Sequence, residues 1–322
     1  TWREPDGQVF KGTPVRAIAV SGGTRSDVIT RTYFVDSNMS GRYRLPVVSI
    51  TTDEENLFDQ QIGLFVGNNV ENSGSDWERP IHIEFYEADG TLGFAQNVGL
   101  RIHGGFTRSF QQKSLRLYCR SDYDEQNWFD YEVFPGYKQK ATGEQIERHK
   151  RLILRNSGND WVNTMIRDGM MQTLMMDMSH DIQALRQSVL FINGEFWGIY
   201  NIRERIDDRY VQTHFEYGDI DIDRDNVAML DAKISGEYEV DEGDDSDLED
   251  YKENVLNYVR WNDMSRQDVY ETLKTRIDIE TFLDHYTSQI YIANTDWPGN
   301  NIIIWKYKTD SGFYEPDAPY GL

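Results

Sequence analysis

Apolar residues recur along this chain with two different periods. Through roughly the first two hundred residues the period is two, the spacing of a half-buried strand. Val15 to Val20 alternates, Gly22-Gly23 makes a turn, and Val28 to Val35 alternates again, which predicts a β-hairpin with a short loop. Leu45 to Ile50 predicts the strand that opens the main domain. Ile81, Ile83 and Phe85 alternate with His82, Glu84 and Tyr86, and Asp89-Gly90 closes a turn. Val98 to Ile102, Ser114 to Tyr118 and Leu152 to Arg155 predict further strands. Val189 to Ile192 and Phe196 to Tyr200 flank Asn193-Gly194, the strongest short-range hairpin signal.

A helical period first appears at Thr164. Met165, Ile166, Met170, Leu174, Met175 and Met178 fall on one broad face of a helix predicted over 164–178. Six of the nine methionines lie in it, and the face reads as core filler rather than as a binding groove. After Glu204 the pattern is helical and polar, and Val227 to Leu230 predicts a strand. Residues 237–250 form a dense acidic run that reads as a solvated loop or insertion. Two more helices, about 264–276 and 279–293, precede a strand at Ile302 to Trp305. Strands lead and helices follow, so the expected class is α+β, with no internal repeat.

Composition narrows the function classes. The 322 residues suffice for one large domain or two, and 39% hydrophobic with 13% aromatic content supports a packed core. A net charge of −22 argues against nucleic acid or an anionic membrane as partner. It fits a soluble protein, secreted or borne on a surface, or one that meets basic partners. Cys119 is the single cysteine, so neither a disulfide framework nor a cysteine zinc site is expected. No apolar run has the length of a membrane span. Thr1 opens in mid-sequence, and the chain reads as a piece of a longer protein.

The candidate chemistry centres on Ala293 to Asn301, a loop between a predicted helix and a predicted strand. It carries Asp296, a Pro298-Gly299 turn, and Asn301 five residues after the aspartate. Phosphoryl transfer needs a carboxylate to orient a hydroxyl and an amide oxygen to hold a metal, and protein kinases separate the two by this distance. By spacing alone the stretch is also ordinary turn chemistry. Lys113 follows Gly104-Gly105 and opens a strand, where glycines permit close approach and the lysine supplies a point charge for nucleotide phosphates. Glu204 could hold that lysine as a kinase lysine–glutamate pair does. The same residues read equally as surface charges around a turn. Arg101, in an apolar strand, and Arg167, entering a helix after an Asn163 cap, fit either phosphate contact or structural ion pairs. Asp219, Asp221, Asp223 and Asp225 suggest calcium, but the required glycine and glutamate are missing from either starting position. His82, His103 and His214 lie in unrelated segments, and neither a nucleophile triad nor a Walker loop is present.

Four segments read together: Gly99 to Leu117, Leu154 to Asp168, Ile192 to Glu204, and the Asp296 loop. In this order they resemble the spore-coat protein H (CotH) kinase-like family, over about 45–322. The resemblance implies an atypical protein-kinase-like fold with a strand-rich N-terminal and a helix-rich C-terminal part. It implies a secreted or surface-associated, extracytoplasmic enzyme that phosphorylates serine or threonine on coat or extracellular proteins, using ATP and Mg2+ or Mn2+. Asp296 would orient the substrate hydroxyl, and Asn301 would bind metal, with Asn300 in its place if the register differs by one. Lys113, Glu204 and Arg101 would serve the nucleotide. The family places a second metal-binding aspartate on a later apolar strand; Asp310 and Asp317 do not fit it, so the domain is expected to be incomplete at its C-terminal end. Residues 1–40 resemble the last hairpin of the immunoglobulin-like module of chitobiase-type secreted enzymes, or form a leading hairpin of the main domain. The other function class is a non-catalytic surface or envelope protein that binds a glycan or a basic protein.

Overall fold

The computed structural model describes residues 7–139, 142–216 and 221–308. They fall into two compact units. The first takes the chain up to Tyr137, with Gln145–Met170 and Ala184–Arg205. The second takes Lys138–Glu144, Met171–Gln183 and the chain from Ile206 onward.

The first unit begins with the expected hairpin. Strands β1 (Thr13–Ala17) and β4 (Ile29–Tyr33) pair antiparallel, and the short β2 (Val20–Ser21) and β3 (Thr24–Arg25) pair at its tip. After α1 (Met39–Arg42) come β5 (Val47–Thr51), α2 (Glu55–Phe58), β6 (Arg79–Tyr86), β7 (Leu92–His103) and β8 (Ser114–Tyr118). A two-residue ladder, β9 (Phe129–Asp130) with β10 (Arg148–His149), precedes β11 (Arg151–Arg155). Helix α3 (Arg167–Leu174) then leads to β12 (Leu185–Ile192) and β13 (Glu195–Glu204). Seven strands close a barrel in the order β11-β13-β12-β5-β6-β7-β8, with only the β12–β5 pair parallel. The two-residue period sends Val98, Leu100 and Ile102, Leu115 and Leu117, and Leu152 and Leu154 into one buried interior. On the outer face of β5 and β12, Phe10 and Phe34 pack around Phe191. Thr32 ties the hairpin there, its hydroxyl 2.8 Å from Ser49 Oγ and its N–H donating to the Glu84 carboxylate. Asn193 and Gly194 make the β12–β13 turn with positive φ at both, and a side chain at Gly194 would collide with the Gly12 carbonyl.

The methionine-rich helix departs from expectation. It spans eight residues, and Ile166, Met170 and Leu174 are exposed while Met175 is buried. Met165 has φ 64, a left-handed conformation that stops the helix from starting earlier. Gly169 faces inward, because a Cβ there would meet the Leu185 side chain, and this turns Met170 outward.

In the second unit, α4 (Asp208–Phe215) is capped by Asp207, which accepts from the Arg209 and Tyr210 N–H groups. Strand β14 (Val227–Ala232) lies between β15 (Tyr238–Glu242) and a strand described below. Helix α5 (Asp245–Tyr251) continues through a wide π-helical stretch, 252–257, into α6 (Tyr258–Trp261). Helices α7 (Gln267–Lys274) and α8 (Ile279–Tyr291) follow, and β16 (Ile303–Tyr307) pairs with β14. The acidic run is therefore not a solvated loop. Its first half is β15, and its second half starts α5 with a capping box between Asp244 and Asp247. Asp247 is fully buried, accepts from the Asp244 N–H and lies 3.2 Å from Lys308 Nζ. Carboxylates are favourable at a helix N-terminus, so the charge here has a structural task. Asp219, Asp310 and Asp317 lie outside the described residues.

Candidate functional site

Helix α8 begins at its Asp278 cap and ends where Ala293 takes φ 52. The Asn294 N–H closes the end on the Gln289 carbonyl, and Asn294 Oδ1 accepts from the Asp296 N–H at 3.0 Å. Trp297 stands against the Tyr286 ring at 4.8 Å, and the Trp297–Pro298 bond is cis. The loop ends at the buried Ile302, whose carbonyl accepts from the Ala232 N–H at the end of β14. Between these anchors both carboxylate oxygens of Asp296 are held. Asn300 Nδ2 donates to Oδ1 at 3.0 Å, and Asn301 Nδ2 donates to Oδ2 at 2.8 Å. Asn301 takes φ 58, a conformation asparagine tolerates better than most residues. The structure thus brings Asp296 together with both asparagines that the spacing left as alternatives.

Asp296 is exposed, and an amide clasp on a carboxylate leaves lone pairs for a hydroxyl proton. For a divalent metal the donor set is hard and oxygen-based. A half-turn of the Asn301 carboxamide presents its oxygen in place of its NH2, next to the carboxylate. Magnesium is commonly held by one or two carboxylates with water and substrate phosphate filling the rest, so these residues fit a share of such a site. Among the described residues no group of three or more histidines, cysteines or carboxylates could hold a metal unaided.

Lys113, Glu204 and Arg101 lie in the first unit, and their geometry corrects the expected Lys113–Glu204 pair. Lys113 Nζ donates to the carbonyls of Arg108 and Phe110, at 2.8 and 3.0 Å, and so stitches the loop after Gly104-Gly105. Burial lowers its pKa, against the opposing pull of Glu71. The same loop is stapled by Arg108, which donates to the carbonyls of Gly104, Val70 and Asn72. Glu204 does not pair with Lys113. It is buried, accepts from the Ala184 N–H at 3.0 Å and lies 3.6 Å from His149 Nδ1. The strand register gives the reason. Glu204 stands beside Leu152 and Leu117, four positions along from Lys113, or about 13 Å of strand.

Arg101 is engaged elsewhere too. Its guanidinium lies 2.6 Å from Glu78, which also takes Arg120 at 2.8 Å. Gly99 makes this possible, because a side chain there would occupy the space of the Glu78 carboxylate. The ion-pair alternative is the one realised for Arg101, and for Arg167 as well. Asp160, not Asn163, caps the start of α3: it accepts from the Arg167 N–H at 3.0 Å and from the Thr164 hydroxyl, and lies 3.5 Å from the Arg167 guanidinium. Burial works to raise the Asp160 pKa, but these hydrogen bonds outweigh it and lower the value. His82 and His214 take ordinary roles, His82 beside Asn97 and His214 stacked on Tyr210.

Sequence reasoning passed over Arg116 and Arg155, which stand on the outer face of β8 and β11. The available signal was their place in the alternation, one residue from Leu115, Leu117 and Leu154, which puts charge opposite the core. Ser114 and Asn156 were also missed. They lock the two loops beside these strands, Ser114 Oγ donating to Asn156 Oδ1 at 2.7 Å.

A family model described as CotH kinase protein matches residues 100–314, about two thirds of the chain. The match takes in the glycine loop with Lys113, the Asn156 turn, the β12–β13 hairpin and the Asp296 loop. None of the curated proteins matches the chain. A mixed α+β chain matched over that length is a member of the CotH kinase protein family, which implies a protein kinase that uses ATP and acts on a protein substrate.

Proposed function

We propose that this protein is an extracytoplasmic protein kinase that transfers the γ-phosphate of ATP to serine or threonine hydroxyls of an extracellular or envelope protein. One observation carries the reading: the Asp296 carboxylate, exposed on a loop anchored at both ends, is held through each oxygen by Asn300 and Asn301. In the transfer the hydroxyl oxygen bonds to the γ-phosphorus, the bond to the leaving ADP oxygen breaks, and Asp296 receives the hydroxyl proton. The two amides fix the carboxylate so that one lone pair faces the incoming hydroxyl. If a divalent metal, Mg2+ or Mn2+, were held here, Asn301 would release Asp296 Oδ2 and offer its amide oxygen to the ion, Asn300 alone would keep the carboxylate in place, and the ion would supply neutralisation of phosphate charge. Within the first unit, Lys113 directs two ammonium protons at carbonyls, which leaves the third able to meet an anion. Extracytoplasmic placement belongs to the same proposal and draws on the acidic composition and the family. The reading takes 45–322 as the kinase-like domain and 1–40 as a leading β module.

The test is transfer from radiolabelled ATP, with magnesium, to a mixed serine/threonine peptide pool. Asp296→Asn should lower the rate by about a hundredfold or more with an unchanged unfolding midpoint. Transfer equal to wild type overturns the reading. A second reading, a non-catalytic surface protein that binds a glycan or a basic protein, is favoured by Arg101 and Lys113 already being engaged within the fold.

A further inference from the structure

The outer face of β7, β8, β11 and β13 concentrates positive charge in a chain whose net charge is −22. Because Leu100, Ile102, Leu115, Leu117, Leu154 and Ile202 point into the barrel, their neighbours point out. Register sets Arg101 beside Arg116, and Ile153 joins Arg116 to Arg203. His103 stands beside Ser114, two residues from Arg116 and on the same face, and Arg155 is two residues beyond Ile153 on β11. Glu78 takes Arg101, while Asp168 takes Arg203 at 2.7 Å and lies 3.4 Å from Arg155 Nε. Arg116 has no carboxylate among the described residues. Its Nε donates to His103 Nδ1 at 2.6 Å. That bond puts the imidazole proton on Nε2, so His103 is a neutral donor there. Burial, and then the charges of Arg116, Arg155, Arg205 and Arg108, hold His103 well below the usual histidine range.

A guanidinium sunk among others without a counter-charge is costly, and an anion that brings its own charge relieves the cost. We propose that His103, Arg116 and Arg155 form an oxyanion site that binds a phosphoryl group. Arginine forks and a neutral imidazole N–H suit phosphate oxygens, and two guanidinium groups suit a dianion better than a singly charged carboxylate ligand. Taking that phosphoryl group to be the nucleotide's rests on the kinase reading. The oxyanion site itself does not.

Calorimetric titration of inorganic phosphate, ADP and ATP, without added metal, into the whole protein tests it. Arg116→Met should weaken binding about tenfold or more, as expected for losing a charge-assisted hydrogen bond. Arg116→Lys, which keeps the charge and loses the fork, should fall between. Arg266→Met removes an exposed arginine paired with Asp268 and should change nothing. Phosphate and nucleotide both binding through Arg116 supports the site and its nucleotide occupant. Phosphate binding with no nucleotide binding, even after magnesium is added, supports the site and counts against the kinase reading. Equal binding by wild type and Arg116→Met, or no binding of any of the three to wild type, overturns the site. A readout on the unaltered chain guards against misfolded variants: phosphate should shift the His103 ring signals in NMR and raise its titration, and unmoved signals overturn the proposal.

Discussion

Glu78 is almost wholly buried and holds two guanidinium groups, and it can do so because residue 99 has no side chain. Gly99→Ala should push the carboxylate off Arg101 and Arg120. The expected loss is about 2 kcal/mol in urea unfolding, the size of a broken, charge-assisted and partly buried contact. A midpoint within error of wild type would show that Glu78 has another rotamer open to it. The same residue explains why Arg101 misleads in a sequence. An arginine in an apolar strand signals only that a partner is needed, and here the partner lies 23 positions earlier in the chain. Asp296 with Asn300 and Asn301 is easier to read, because the whole clasp is local and the resemblance to a known family points at it.

At the scale of elements, the strands were legible because a strand buried on one face writes its period into the chain. Ser114–Tyr118 appears as expected, and the Asn193-Gly194 turn fixes the β12–β13 hairpin. Pairing across the barrel was not legible, since it joins residues far apart in sequence. The expected Lys113–Glu204 pair fails on register alone. The methionine helix failed because a periodic face does not say which side a neighbour will choose, and Gly169 decides it. The acidic run failed because composition averages over positions, while Asp244 and Asp247 act singly as caps. Strand β16 offers a test of such buried charge. Lys306 is buried beside Ile304, and burial lowers its pKa to about 8, with Asp250 and Asp247 opposing. Between pH 8 and the ordinary lysine range the unfolded chain then binds more protons than the folded one, so stability rises with pH there. Urea midpoints at pH 7.5 and 9.5 should show wild type gaining on Lys306→Met as pH rises; parallel shifts would remove Lys306 from the account.

For the whole molecule, a charge of −22 means that compaction works against self-repulsion. Most of the ion pairs at the protein surface are screened weakly attractive contacts, while the repulsion is summed over the chain. Salt should therefore raise stability. The urea midpoint is expected to climb from low ionic strength to about 0.15 M, where the Debye length falls to roughly 8 Å. A falling midpoint would mean that local pairs outweigh the net field. The barrel adds a consequence of its own. Among the described residues each of its seven strands has a hydrogen-bonded neighbour on both sides, so the barrel has no edge strand. With no edge strand to extend, partners of the barrel are met chiefly through side chains and loops. The same closure denies misfolded neighbours a template, which protects a strand-rich unit at the concentrations where open sheets begin to stack.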